Sequence, residues 1–255
     1  MTTAKIDHLM NQCWRAEQST ELDGWLVRRA AGVTMRANSV LPAAAPSDLG
    51  KALDYVETLY QAHGITPCFQ ISPAAQPTDL DDQLAARGYQ LDSPTLVQSA
   101  AIADVLSALP APTVTMNISP VADAAWTEFW WRTDPHGAPS EQVVARQILD
   151  RSPALHARVL VGGEIVAVGR LALADDWSGL YCIATDPAYR RQGLAQAVIH
   201  GLLREATKRG VGHVFLSVLA DNAPALALYN RLGFTPVSRY HYRVRALPPA
   251  EESVV

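Results

Sequence analysis

Residues 189–195, YRRQGLA, set two arginines, a glycine and an alanine where an apolar run (180–184) gives way to a long amphipathic stretch. A helix leaves its first backbone N–H groups without partners and carries partial positive charge at that end, so a strand feeding a helix makes an anion site. Arg190 and Arg191 add charge that persists at any physiological pH, Gly193 lets the backbone approach a pyrophosphate closely, and Ala195 keeps the next approach point small. A first helical turn ordinarily favours Asp or Glu, and this one has neither. The competing reading is that the arginines simply face solvent.

Other chemistries have no comparable carrier. The chain lacks GxSxG, HExxH, GxxxxGK[ST] and GxGxxG patterns. Cys13, Cys68 and Cys182 are too scattered for a CxxC site and too few for a disulfide framework, which predicts reduced thiols and no metal. His63, His200 and His213 stand alone and read as structural or surface residues. A net charge of -4 over 255 residues argues against nucleic acid as the main partner. No apolar run is long enough to span a bilayer and no signal core opens the chain, so the expected address is the cytoplasm, away from membranes.

The elements that must position the loop follow from periodicity. ADVLSALPAPT (103–113) reads as a linker. A strand is predicted at 114–118, then helices at 122–132 and 140–151, the second capped by Ser140. Two β-rich runs flank Gly162-Gly163, a hairpin pair, and a third run, GLYCIAT, follows. The last third alternates helix (192–209), strand (213–219), helix (223–232) and strand (235–245).

That last third has an echo in the first half. Both carry helix, Gly, strand, helix ending in Gly-aromatic, strand, with Gly64 and Gly88 spaced almost as Gly210 and Gly233 are. The chain therefore divides into 1–105, a linker at 106–113, a second unit at 114–247 and a tail at 248–255.

IATDPAYRRQGLAQAVI (183–199) resembles the acyl-CoA signature of the GNAT family of N-acetyltransferases, with Arg190, Gly193 and Ala195 in its three fixed places. LSVLADNAPALALYNRLGF (216–234) is similar to the family's second mark, a strand, an Asn and a helix ending in Tyr, three residues and Gly-Phe. The resemblance implies an α/β fold: a mixed, mostly antiparallel sheet flanked by helices, with a splayed central strand pair, here in two similar units in tandem. It implies acetyl-CoA as cosubstrate, its pyrophosphate on the backbone of Arg190, Arg191, Gln192, Gly193, Leu194 and Ala195. The pantetheine arm would pair with the main chain of Ile183, Ala184 and Thr185 like an added strand. Asn222 would touch the arm from the opposite strand, cap the following helix, or do both.

The implied reaction is acetyl transfer to the primary amine of a small molecule, by direct attack in a ternary complex. Tyr229 falls at the position of the family's usual acid, and a phenol can protonate a departing thiolate. Without the motif it would read as core, on one face with Ala225, Leu228 and Leu232. An alkylamine is only about one part in a thousand neutral near pH 7.4, a deficit of about 4 kcal/mol that a base or a dry pocket must offset. Some family members keep a glutamate on the strand before the loop, but that place is Gly179 here. Asp175, Asp176, Glu128, Asp134 and His136 are the alternatives. Trp126, Phe129 and Trp130 lie at helical spacing as core, whereas Trp131, Arg132 and His136 fall off that stripe as pocket candidates.

The first half retains neither cradle nor acid. AAAPSDLG (43–50) stands where the arginine-glycine loop should be, and Leu84 stands in the place of Tyr229. The arginines of GWLVRRAAGVTMRANSV (24–40) read as strand-edge charges, with an anion site as the alternative. The expected role of this half is to complete the acceptor pocket or to hold the active unit. A homodimer is possible, and a non-catalytic acyl-CoA-binding sensor is the alternative function.

Overall fold

A computed structural model of the chain describes residues 1–134 and 137–246. The expected tail at 248–255 lies outside the described residues. The first half runs α1 (Thr3–Cys13), β1 (Gln18–Leu22), β2 (Trp25–Arg29), β3 (Val40–Pro42), α2 (Leu49–Ala62), β4 (Cys68–Ile71), α3 (Leu80–Ala86) and β5 (Gln90–Ala101). After α4 (Ile102–Ala108) come β6 (Met116–Ser119), α5 (Ala124–Thr133), α6 (Gln142–Asp150), β7 (Ala154–Val161), β8 (Glu164–Ala174) and β9 (Trp177–Thr185). The chain ends through α7 (Leu194–Thr207), β10 (His213–Leu219), α8 (Ala223–Arg231) and β11 (Thr235–Val244).

The two units share one 11-stranded sheet of order β1-β2-β3-β4-β11-β5-β10-β9-β8-β7-β6. Each unit sends its last strand into the other: β11 pairs with β4, β5 pairs with β10, and β5 and β11 pair with each other at the centre. All neighbours are antiparallel except β3–β4 and β9–β10. The segment β1-β2-β3-α2-β4-α3-β5 thus repeats as β7-β8-β9-α7-β10-α8-β11.

Two apolar layers hold the second unit. Leu194, Val198, Leu202 and Leu203 of α7 bury one stripe against Leu155, Leu171, Leu180 and Leu216 of the sheet. On another face, Trp126, Phe129 and Trp130 of α5 join Ile148 and Leu149 of α6 and Ile6, Leu9 and Met10 of α1. Trp126 is fully buried and donates its Nε1–H to the Ala157 carbonyl at 2.8 Å, so truncating it to Ala would cost ~3–5 kcal/mol.

Three local expectations are corrected. The segment read as a linker from 103 begins as α4, because Ile102, Val105 and Leu109 form a buried stripe packed on α7. Ser140 does not cap α6; it lies in a 3-10 turn, Pro139–Glu141, and the helix starts at Gln142 with no side-chain cap. Arg28 is not a strand-edge charge: it is 1% exposed and donates to the Ser39 carbonyl and to the side chains of Ser39 and Gln70.

Candidate active site

β9 pairs with β10 only from Trp177↔His213 to Leu180↔Leu216. Beyond that point β10 stays with β5, reaching Leu219↔Thr95, while β9 turns away. The divergence has a local cause on the other edge of β9. Its register with β8 shifts between Val168↔Ala184 and Arg170↔Tyr181, so Gly169 opposes both Cys182 and Ile183, and Cys182 takes φ +54°. The bulge leaves the backbone of residues 181–185 without a β10 partner and opens a fork in the sheet.

α7 starts at the mouth of this fork. Gly193 is its N-cap residue at φ +78°, ψ 5°, and no side chain caps the helix. An L residue is disfavoured at that φ, yet a Cβ there would meet nothing nearer than Gln196 Oε1 at 3.7 Å. The space beside the first-turn N–H groups is therefore open. Arg191 also has φ +61°, an uncommon conformation for a side chain without local reason. Arg190 and Arg191 are exposed, and Arg190 Nε donates weakly to the Thr185 carbonyl at 3.4 Å.

A cavity of about 800 Å³ joins these parts. Ile183, Ala184 and Thr185 line it from β9, and Arg190, Arg191, Gly193, Leu194 and Ala195 from the loop and first turn of α7. Asn222 and Tyr229 line it from α8, and Thr133 and Asp134 from the end of α5. Of the residues expected to hold a cofactor, Gln192 is the one outside the lining. Tyr189, Gln196 and Leu228 also line it, and Leu228 was signalled in the sequence only by its place beside Tyr229. Asn222 is the N-cap of α8, its Oδ1 accepting from the Ala225 N–H at 3.2 Å.

Tyr229 packs edge-on to Phe234 with ring centroids 5.7 Å apart. Burial pushes its phenol up to about 12, which keeps it protonated throughout the physiological range. Of the acid-base candidates, Asp134 lines the cavity. Asp175 and Asp176 sit in the β8–β9 turn at the opposite end of β9, where the Asp176 carbonyl accepts from the N–H groups of Gly212 and His213. Glu128 is exposed on α5, and His136 lies outside the described residues. Gly179 cannot carry an acid: a Cβ there would lie 2.6 Å from the Tyr181 ring and 2.8 Å from the Phe215 ring.

The remaining expectations divide. Trp131 is 6% exposed and packs in the core against Trp130, not into a pocket, while Arg132 is exposed with its guanidinium over Phe129. In the first half Leu84 is fully buried. Among the described residues no group of three or more His, Cys, Asp or Glu could hold a metal ion, and no helix is long and apolar enough to cross a membrane.

Comparisons with known proteins bear on the family and the fold. The family model for the probable histone acetyltransferase Rv0428c, C-terminal, matches residues 3–244. The uncharacterized N-acetyltransferase YobR of Bacillus subtilis is 28% identical over 94% of this chain and 98% of its own. A mycothiol acetyltransferase of Catenulispora acidiphila is 31% identical over 77% of this chain and 67% of its own. The solved structure of a GCN5-related N-acetyltransferase from Kribbella flavida superposes with a TM-score of 0.70 at 18% identity, covering 97% of both chains.

Proposed function

The chain belongs to the Rv0428c C-terminal family and is a GNAT N-acetyltransferase, and from that premise we propose that it transfers the acetyl group of acetyl-CoA to the primary amine of a small molecule, by direct attack in a ternary complex. The observation that carries the proposal is the cavity that joins the uncapped N-terminus of α7 to the unpaired edge of β9. One end suits a pyrophosphate: open N–H groups, the positive end of a helix dipole and two exposed arginines. The other suits an extended arm that pairs with backbone at residues 183–185. Asn222 Oδ1 caps α8, which leaves its amide N–H groups available to the arm.

In this reading the amine nitrogen attacks the thioester carbonyl carbon, the C–S bond breaks, and the departing thiolate takes the phenol proton of Tyr229. Asp134, on the cavity wall, accepts the proton that the amine loses, directly or through water. An acyl-enzyme route lacks a nucleophile among the described cysteines. Burial pushes both Cys13 and Cys182 up to about 12 and raises Cys68 further, so none is a thiolate near neutral pH. Direct transfer gives intersecting initial-rate lines when both substrates are varied.

The test is to incubate the protein with acetyl-CoA and a broad panel of amines and to measure free CoA and acetylated product together. One acetylated amine per CoA released supports the proposal. Tight CoA binding with no product from any amine would make the chain a binding module instead.

A further inference from the structure

The first half reaches the fork from the side away from α7. Between β2 and β3 the chain forms a loop that carries Arg36 in a 3-10 turn, Met35–Ala37. Its backbone is unusual, with Ala31 at φ +48° and Thr34 at φ +62°. Asn38 pins it: Oδ1 accepts from the N–H groups of Ala30 at 2.7 Å and Gly32 at 3.0 Å, and Nδ2 donates to the carbonyls of Val33 at 2.7 Å and Thr34 at 2.9 Å. A loop held this firmly is suited to presenting one side chain.

The side chain presented is a cation without an anion. The Arg36 guanidinium lies 5.1 Å from the Trp14 ring centroid and 5.3 Å from that of Tyr181. It donates from Nη2 to the Tyr240 hydroxyl at a long 3.4 Å, and its buried Nε has no partner. Among the described residues it forms no ion pair. Arg28 and Arg170 are fully buried, whereas Arg36 is half-buried, and each of those two donates to a carbonyl and a hydroxyl at 2.7–3.1 Å. Arg36 is the under-coordinated member of the three.

Its surroundings are the fork. Tyr181 is the first residue of β9 beyond the last β10 pair and is 6% exposed, with a hydroxyl that has no partner. The buried Oγ1 of Thr185 has none either. The Tyr240 hydroxyl contacts Ser217, the first β10 residue past the last β9 pair. Burial raises the Tyr240 phenol, but Arg36 and hydrogen bonds to Ser217 and Thr95 draw it below its ordinary value, as an uncompensated neighbouring cation would. The Arg36 guanidinium lies beside the Trp14 and Tyr181 rings, whose centroids are themselves 5.2 Å apart, and its partnerless Nε edge suits a planar, bidentate partner.

We infer that Arg36, with Tyr181 and Tyr240, binds a carboxylate on the acceptor, so that the substrate class is a small amino-carboxylate and the first half supplies the residue that selects it. The inference rests on the N-acetyltransferase reading above and deepens it.

The experiment compares pairs of acceptors that differ only in the carboxylate: amino acids and ω-amino acids against their amides. The amides carry the less basic amine and supply more neutral nucleophile at neutral pH, so a preference for the acid reports recognition. The wild type should favour the acid by at least about 10-fold in kcat/KM, mostly through KM. Arg36→Met should bring the ratio to one or below with acetyl-CoA affinity unchanged, and Arg36→Lys should restore part of it. Intact acetyl-CoA affinity certifies that the Met variant is folded. Equal or better use of the amides by the wild type overturns the inference without any variant. So does turnover confined to peptide or protein amines, although the acetyltransferase reading would survive that result. If no amine is acetylated, the function proposed above fails separately, and calorimetry of the same acids and amides on the CoA complex decides the Arg36 question. Binding that ignores the carboxylate would refute it.

Discussion

Asp48 and Gly193 occupy the same position, the N-cap, of two 14-residue helices that repeat along the chain, and they leave those helix ends in opposite states. The Asp48 carboxylate accepts from the Lys51 N–H at 3.1 Å and pairs with Lys51 Nζ at 2.9 Å. The first half thus fills its own anion site with a carboxylate, which repels a phosphate. Gly193 caps nothing, and its helix end stays open.

Gly193→Asp would give the second helix the state of the first. We expect acetyl-CoA affinity to fall by at least about 100-fold, since a fixed negative charge replaces open N–H groups. Gly193→Val should weaken binding as well, because a β-branched residue at φ +78° costs ~1–3 kcal/mol and crowds the loop. Arg190→Ala should act through charge, with an effect that shrinks as salt is added. Calorimetry at two ionic strengths checks all three, and unchanged affinity in both Gly193 variants would remove the loop from the site.

Asp48→Ala is the converse. Loss of the cap should lower Tm by roughly 2–4 °C, with acetyl-CoA affinity and turnover untouched. A change in affinity would mean that the first-half helix end contributes to the site.

Tyr229→Phe keeps the ring against Phe234 and removes the proton donor. We expect kcat to fall ~10- to 1000-fold with CoA binding nearly constant. Because burial holds the phenol near 12, the wild-type rate should show no descending limb from this group until the pH approaches that value. A limb near pH 9 that disappears in the Phe variant would show that the phenol is not held up by burial.

His156 sets the acid behaviour of the fold. It is 2% exposed beside Trp126, and burial, aided by the charge of Arg170, lowers it from 6.5 to about 3. As pH falls below about 6.5 the unfolded chain takes up a proton that the folded chain refuses until about 3. Stability is therefore present above that window and lost within it, by up to ~1.4 kcal/mol per pH unit. His156→Phe should flatten this slope in urea denaturation series, and an unchanged slope would assign the acid loss elsewhere.

Much of this architecture was legible because short-range patterns decide it. The strand predicted at 213–219 is β10 to the residue, bounded by a glycine turn and a capping Asn that local chemistry announces. The arginine-glycine loop stands out by residue type and spacing and Tyr229 only by the family resemblance, and both line one cavity. The exchange of β5 and β11 was not legible, since a strand's periodicity names its buried face and never its neighbour. α4 was missed because two prolines outweighed the stripe of Ile102, Val105 and Leu109. Arg28 and Arg36 were misread because arginine is a surface residue by default, and nothing in their local sequence shows that Ser39, Gln70, Trp14 or Tyr181 will enclose them. Trp131, the third tryptophan of α5, was set outside the core by a helical wheel that assumes one narrow apolar face, whereas α5 buries residues over most of its circumference.

The most direct measurement is a calorimetric titration of the full chain with CoA. The expected result is one equivalent bound per chain, abolished by Gly193→Asp and retained with unchanged affinity by Asp48→Ala. Two equivalent sites per chain, or one site indifferent to Gly193→Asp, would contradict the assignment of acyl-CoA binding to the second unit alone.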